Sequence, residues 1–133
     1  MTPEPTMSTP TNRRYSDSHE WFLHEGGTVT IGITKHAADE LTDITYVEMQ
    51  PVGTEIAAGG SLGEVESVKT TADVLTAVAG TVAEVNDSVS EDPSLVNRDP
   101  YDEGWLIKLT VEDASALEDL MDGATYDQRH GDS

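Results

Sequence analysis

The sequence predicts a mostly β domain with short helices on its flanks. Two observations give the strands and a third gives the helices. In TVTIGI, Val29, Ile31 and Ile33 fall on one face of an extended chain, and in WLIKLTV so do Trp105, Ile107, Leu109 and Val111. Alternation of this kind marks a strand with one face turned to a core. Helical spacing of apolar residues recurs only in short stretches, each with its own start signal.

The elements follow in order. HEWFLH reads as a strand, and Glu25-Gly26-Gly27 supplies the turn into TVTIGI. Thr34 is placed to cap a short helix through KHAADEL. DITYVEM is a further strand, GGSLG a turn, and SLGEVESV a strand. DVLTAVAGTVAEV gives one or two more. NDSVSEDPSLVNRDP contains two Asp-Pro pairs, which favour extended or turn geometry, and is expected as an irregular connection. After VED, Ala114, Leu117, Leu120 and Met121 recur at helical spacing, with Asp113 to cap the helix and Gly123 to close it. From Tyr126 the chain is polar and is expected to fray. Residues 1–14 are expected as a disordered extension, 15–126 as the folded domain and 127–133 as a flexible tail.

Composition narrows the function. The 133 residues suffice for one domain, whose core must be modest because 36% of residues are apolar and 5% aromatic. Asp and Glu number 26 against 7 Lys and Arg, a formal charge of −19. Such a field repels phosphates and anionic lipid heads, so neither nucleic acid nor membrane is expected as a partner. The acidity reads first as solubility and second as steering towards basic partners. Without cysteine there is no disulfide and no thiolate metal site. No apolar run approaches the roughly 20 residues that span a bilayer. MTPEPTMSTPTNRR lacks the apolar stretch of a secretory signal, so a cytoplasmic location is expected.

The usual catalytic constellations are missing. A zinc-protease motif needs two histidines four apart on a helix. His19 and His24 are five apart in a segment that reads as a strand, which puts them on opposite faces. GGSLG lacks the Gly-Lys-Ser/Thr of a phosphate loop, and no Ser, His and acid arrangement stands out. No catalytic residue and no metal ligand is assigned.

One stretch stands apart. GEVESVKTTADV holds Lys69, one of only three lysines in the chain, between two strand patterns. Lys69 then falls at a hairpin turn and is pushed into solvent. The turn lacks the Asn-Gly or Asp-Gly that makes a hairpin self-sufficient. A surface lysine on a fixed turn suits a modifying enzyme, and acylation would exchange its charge for a neutral amide on a long stem.

GEVESVKTTADVLTAVAGTVAEVN resembles the lipoyl-bearing hairpin of the glycine cleavage system H proteins. YSDSHEWFLHEGGTVTIGITKHAADEL is similar to that family's N-terminal region and LVNRDPYDEGWLIKL to its C-terminal signature, so the resemblance covers roughly residues 15 to 126. Biotin carriers place methionines beside their lysine, where this chain has Val68 and Thr70. Lipoyl domains of 2-oxoacid dehydrogenases lack the SHEW and NRDPY stretches. The alternative reading is a lipoyl-relay protein or a lipoyl domain serving 2-oxoacid dehydrogenases, since relay would use the same hairpin.

The resemblance implies a barrel-sandwich hybrid of two small antiparallel sheets, with lipoate in amide linkage on Lys69. It implies a monomeric carrier rather than an enzyme. Such a carrier takes the aminomethyl group of glycine from the pyridoxal-phosphate glycine decarboxylase to the tetrahydrofolate-dependent aminomethyltransferase and is reoxidised by dihydrolipoyl dehydrogenase. Ser18, Glu20, Ile33 and Asp73 match the cleft that shelters the loaded arm. Glu64 and Glu66 match the acids read by a lipoate-attaching enzyme. Glu40 departs from the pattern, standing where some members have His.

Overall fold

The computed structural model describes residues 13–130. Its elements run β1 (Arg14–Tyr15), β2 (Glu20–Glu25), β3 (Thr28–Ile33), α1 (Lys35–Leu41), β4 (Ile44–Met49), β5 (Glu55–Ile56), β6 (Ser61–Ser67), β7 (Thr71–Leu75), β8 (Gly80–Val85), α2 (Asp87–Glu91), α3 (Ser94–Arg98), β9 (Ile107–Thr110), a 3-10 turn (Ser115–Asp119) and α4 (Gly123–His130). Two sheets hold the strands among the described residues, one in the order β1-β2-β3-β9-β8-β5 and one in the order β4-β6-β7. Every pairing in both is antiparallel.

Inward residues of the two sheets meet in one apolar core. Phe22, Val29, Ile31, Val82, Ile107 and Leu109 come from the large sheet, and Val47, Leu62, Val65 and Val74 from the small one. Each such side chain contributes roughly 1.5–3 kcal/mol on burial. A second cluster of Tyr15, Trp21 and Tyr126 covers the other side of the large sheet.

The alternation in TVTIGI is correct, yet β3 is buried on both faces. Trp21 lies opposite Gly32, and a methyl group there would stand 2.6 Å from the indole ring, so the ring occupies the space that glycine leaves. The indole N–H donates to the carbonyl of Pro100 at 3.0 Å. DITYVEM does not alternate cleanly, because a register shift between Ile44 and Tyr46 lets both Ile44 and Val47 point inward. DVLTAVAGTVAEV divides into β7 and β8, which belong to different sheets. Thr34 caps α1, its hydroxyl accepting from the Ala37 N–H at 3.2 Å.

Several expectations are corrected. The connection 86–100 contains α2 and α3. Asn86 opens α2 by accepting from the Ser88 N–H, and Val89 and Val96 are buried, which supplies what the Asp-Pro pairs could not. The helix expected from Asp113 to Gly123 is only a 3-10 turn. Asp113 accepts from the Ser115 N–H at 3.0 Å, and its Ser115 contacts hold its carboxyl below the usual range. Met121 has left the turn to bridge Tyr15. Gly123 starts a helix rather than closing one, because Asp122 accepts from the Thr125 N–H at 2.9 Å as an N-cap. Tyr126 therefore sits in α4 and is buried instead of fraying. His19 is not in a strand: it precedes β2 with φ of 72°. Of the expected terminal segments, residues 1–12 and 131–133 lie outside the described residues. Arg14 belongs to β1, and the Arg13 guanidinium stacks 4.5 Å from the Trp21 ring centre.

Gly63, in β6, has φ of 153° at a register shift, and a methyl group there would lie 2.2 Å from the Glu48 carbonyl oxygen. Gly59 has φ of 85° but faces open space. Gly63→Ala is expected to cost at least about 2 kcal/mol and Gly59→Ala about 1 kcal/mol, since only the first adds a backbone clash to the strained φ. Urea denaturation of the two variants checks this, and equal losses would refute the clash.

Candidate functional site

The β6–β7 hairpin turns at Val68 and Lys69, neither of which has positive φ, so it is not one of the primed turns favoured in two-residue hairpins. Ser67 does the work instead. Its N–H donates to the Thr70 carbonyl at 2.8 Å, and its hydroxyl donates to the same oxygen at 3.0 Å. That hydroxyl also accepts from the N–H groups of Lys69 at 3.1 Å and Thr70 at 3.0 Å. One donor and two lone pairs are thus all used. The remaining amide, that of Val68, donates to the Asp43 carbonyl at 3.1 Å, in the loop after α1.

The backbone of the turn is therefore fixed while the Lys69 side chain is exposed. Its Nζ donates to the backbone carbonyl of Glu40 at 3.2 Å. Carbonyls in a helix's last turn lack intrahelical partners and carry partial negative charge, so this position suits an amine. Acylation removes the charge but leaves one N–H able to donate. The other two lysines are placed differently. Lys35, on α1, pairs with Asp39 at 2.5 Å. Lys108, on β9, lies 3.9 Å from Glu84 and 4.9 Å from the Trp105 ring centre.

Glu64 and Glu66 project from the outer face of the small sheet. Across it, Glu48, Glu64 and Asp73 stand directly opposite one another, and the next row is Tyr46, Glu66 and Thr71. All six are exposed. Like charges directly opposed on a sheet are destabilising, by roughly 0.2–1 kcal/mol per pair. At the lysine end this face also exposes Tyr46 (49%) and Val68 (69%).

Ser18, Glu20 and Ile33 come together where β2 starts. Ile33 lies opposite Glu20. Glu20 is buried, at 2% exposure. One carboxylate oxygen accepts from the hydroxyls of Ser16 and Ser18, and the other accepts from the Leu75 N–H at 2.9 Å. Glu20 thereby ties the large sheet to the end of β7. Asp73 stands two residues before that junction and is exposed, as is Ser18. Glu40 is exposed, its carboxylate 3.5 Å from His36 Nε2. The His36 ring lies 4.5 Å from that of His19, whose Nδ1 is 2.7 Å from the Tyr126 hydroxyl. Among the described residues no group of three or more His, Cys, Asp or Glu is placed to hold a metal. Nor is any helix long and apolar enough to cross a membrane.

Ser67 was not singled out by the sequence, although a serine two residues before an exposed lysine in a turn without Asn or Gly was the available signal.

Two packed antiparallel sheets, with a lysine carried out on a fixed turn, define a barrel-sandwich hybrid of the lipoyl- and biotinyl-carrier type. The profile of the glycine cleavage H-protein family matches residues 13–132. Glycine cleavage system H protein 2, mitochondrial, of Arabidopsis thaliana is 49% identical over 113 residues, 85% of this chain and 72% of that one. The glycine cleavage system H protein of Chromohalobacter salexigens is 47% identical over 119 residues, 89% of this chain and 91% of that one. The crystal structure of a glycine cleavage system H protein from Mycobacterium marinum superposes with a TM-score of 0.83 at 34% identity, covering 92% of this chain and 98% of that one. The chain belongs to the glycine cleavage H-protein family.

Ser67→Ala is expected to cost about 1–2 kcal/mol, because it strands two amide donors and removes one donor at once. Urea denaturation measures the loss. A value near zero would mean that the turn holds without the hydroxyl.

Proposed function

We propose that Lys69 takes lipoate in amide linkage and that the chain carries it among the enzymes of glycine cleavage. These are the glycine decarboxylase, the aminomethyltransferase and dihydrolipoyl dehydrogenase, with a lipoate-attaching enzyme acting beforehand. The observation that carries this reading is the contrast among the lysines. Lys69 stands on a hairpin turn whose amides are all bonded, with its amine against a backbone carbonyl, while Lys35 and Lys108 lie beside carboxylates on a helix and a strand.

The residues at the turn fit a lipoyl group. Attachment needs a deprotonated amine that can reach an activated acyl carbon. The C–N bond forms as the activating group leaves, and the amine gives up its protons to solvent. The exposed Lys69 can meet an enzyme, and its backbone does not have to be ordered at that moment. Once attached, the lipoyl group supplies a reducible disulfide that takes up electrons and the one-carbon amine. The protein's own part is to hold and orient.

Ser18, Glu20, Ile33 and Asp73 are the proposed resting place for the end of the arm. Glu20 is sealed behind Ser16 and Ser18, so an incoming cation would touch Ser18 and Asp73, with the Glu20 charge acting from behind. Such a charge has more effect there than in open solvent, because burial limits its screening. Glu40 adds a third carboxylate, on the residue whose backbone carbonyl accepts from Lys69 Nζ. Glu64 and Glu66 are proposed as the acids read by the lipoate-attaching enzyme. The cost of facing Glu64 with Glu48 and Asp73 supports a use for that face outside the fold.

Lys69→Arg is expected to keep stability within about 0.5 kcal/mol of the parent, since the side chain is exposed. It is also expected to show no lipoyl mass and no glycine cleavage. Intact mass of protein from its native cell is the direct measurement, and a lipoyl group on the variant would move the site to Lys35 or Lys108. Glu64→Gln separates recognition from folding. It should raise stability by about 0.5 kcal/mol through relief of two like-charge pairs, and lower kcat/KM for lipoate attachment by about threefold or more, an effect that weakens with salt. Unchanged attachment would return Glu64 to the solvated surface.

A further inference from the structure

The Asn97 side chain, in the LVNRDP stretch, makes three contacts with one distant segment. Its Nδ2 donates to the Thr42 carbonyl at 2.6 Å and the Ala38 carbonyl at 3.4 Å, and its Oδ1 accepts from the Ile44 N–H at 2.9 Å. Only this orientation of the amide meets two acceptors with donors and a donor with an acceptor. α3, which carries Asn97, is held to the core by the fully buried Val96. The segment Asn97 grips is the end of α1 and its exit into β4. That exit is strained: Thr42, a β-branched residue, has φ of 64° and ψ of −136°. A conformation of this kind costs on the order of 1–3 kcal/mol and persists only where its surroundings enforce it.

The same short segment supports the lysine turn. Asp43, next to the strained Thr42, accepts from the Val68 N–H, and Glu40 accepts from Lys69 Nζ. Both contacts are backbone carbonyls whose positions depend on the path from Ala38 to Ile44. We propose that Asn97 is a positioning residue for Lys69: it enforces the α1–β4 exit, and that exit fixes the turn from which the lysine projects. A link to lipoate attachment rests on the reading of Lys69 given above. The effect on the turn does not.

Asn86 provides the comparison. It is likewise bonded through Nδ2 to two carbonyls, those of Glu103 at 2.9 Å and Trp105 at 2.7 Å, but it is buried where Asn97 is half-buried, and it holds a different segment. Asn86→Ala should destabilise the fold at least as much as Asn97→Ala. Asn97→Asp is the second variant: it keeps the acceptor for Ile44 but sets a carboxylate oxygen against the Thr42 and Ala38 carbonyls in place of the donors. Amide hydrogen exchange by NMR is compared at Val68, in the turn, and Leu109, in β9 between two paired strands. In the Asn97 variants the Val68 rate should rise about tenfold relative to Leu109, as expected for the loss of about 1.4 kcal/mol of local stability. Asn86→Ala should leave the ratio as it is. An unchanged ratio in the Asn97 variants, or an equal rise in Asn86→Ala, overturns the proposal.

In the second arm, a lipoate ligase with lipoate and ATP modifies each protein, followed by intact mass. The Asn97 variants should raise KM for the carrier and leave kcat, while Asn86→Ala changes neither. Attachment that is unaffected in an Asn97 variant with a loosened turn overturns the link to modification. Failure of the parent protein to accept lipoate counts against the reading of Lys69, and the exchange ratio then decides the positioning alone.

Discussion

Residues 67–70 must be held still while one amine is left in water, and this constraint organises the small sheet and everything packed behind it. A two-residue hairpin loop ordinarily secures itself with positive φ at glycine or asparagine. Here Val68 and Lys69 keep ordinary backbone angles, and the amides are satisfied by a serine hydroxyl within the turn and a carbonyl outside it. The outside carbonyl belongs to Asp43, so the turn is only as rigid as the α1–β4 exit. That exit is strained at Thr42 and is braced by Asn97 on α3. Each bond is worth about 1 kcal/mol net, but the chain of dependence runs from the core through Val96 to the tip of the hairpin. Rigidity at the tip is thus borrowed from residues 25 or more away in sequence, by the count from Val68 back to Asp43.

A second dependence passes through Glu20. A buried carboxylate is costly unless donors replace its water. Two serine hydroxyls and the Leu75 N–H do so, without any cation in the set. The arrangement joins the two sheets and leaves a negative charge just beneath the exposed Ser18. A cation pairing directly with Glu20 inside the fold would have cancelled that charge. Satisfying it with neutral dipoles keeps the field available at the surface. The fold and the proposed cleft therefore use the same group without conflict.

Much of the fold was legible. β3 and β9 announced themselves by alternation, and Thr34 by its place before a helical run. The errors have local causes. At 113–123 the helical spacing was real, but Asp122 is an N-cap with Thr125 three residues on, so the chain restarts there and Gly123 falls inside the new helix. At 86–100 the Asp-Pro pairs suggested irregular chain, while burial of Val89 and Val96 was enough to fix two short helices. The exposed turn at Lys69 was legible from its place between strand patterns, while its role as the attachment site rests on the family resemblance and is a proposal. Ser67 left only its local place two residues before the lysine, since its bonds run two to three residues. Asn97 left nothing: hydrogen bonds from a side chain to backbone 53 to 59 residues away leave no period in the sequence. Sealing of Glu20 was equally invisible, because the Leu75 N–H reaches it only once the two sheets have packed.

The outer face of the small sheet shows how a small loss of stability can coexist with a usable surface. Opposed carboxylates there repel at Cβ separations near 5 Å, shorter than the screening length of about 8 Å at physiological salt. Salt therefore weakens that repulsion only in part. An approaching basic surface feels the same charges from farther away, where screening is stronger, so steering should fade with salt sooner than the repulsion does. The net charge of −19 makes the whole molecule attractive to cations, and so cannot by itself direct a partner to one side. What distinguishes this face is the combination of unpaired acids with exposed Tyr46 and Val68 at the lysine end. Charge can bring a basic enzyme near, but the apolar contacts and the fixed turn determine where it stops. Under the proposed function, the general acidity sets encounter, the rows Glu48–Glu64–Asp73 and Tyr46–Glu66–Thr71 set orientation, and Ser67 with the proposed brace Asn97 sets the position of the amine presented to an attaching enzyme.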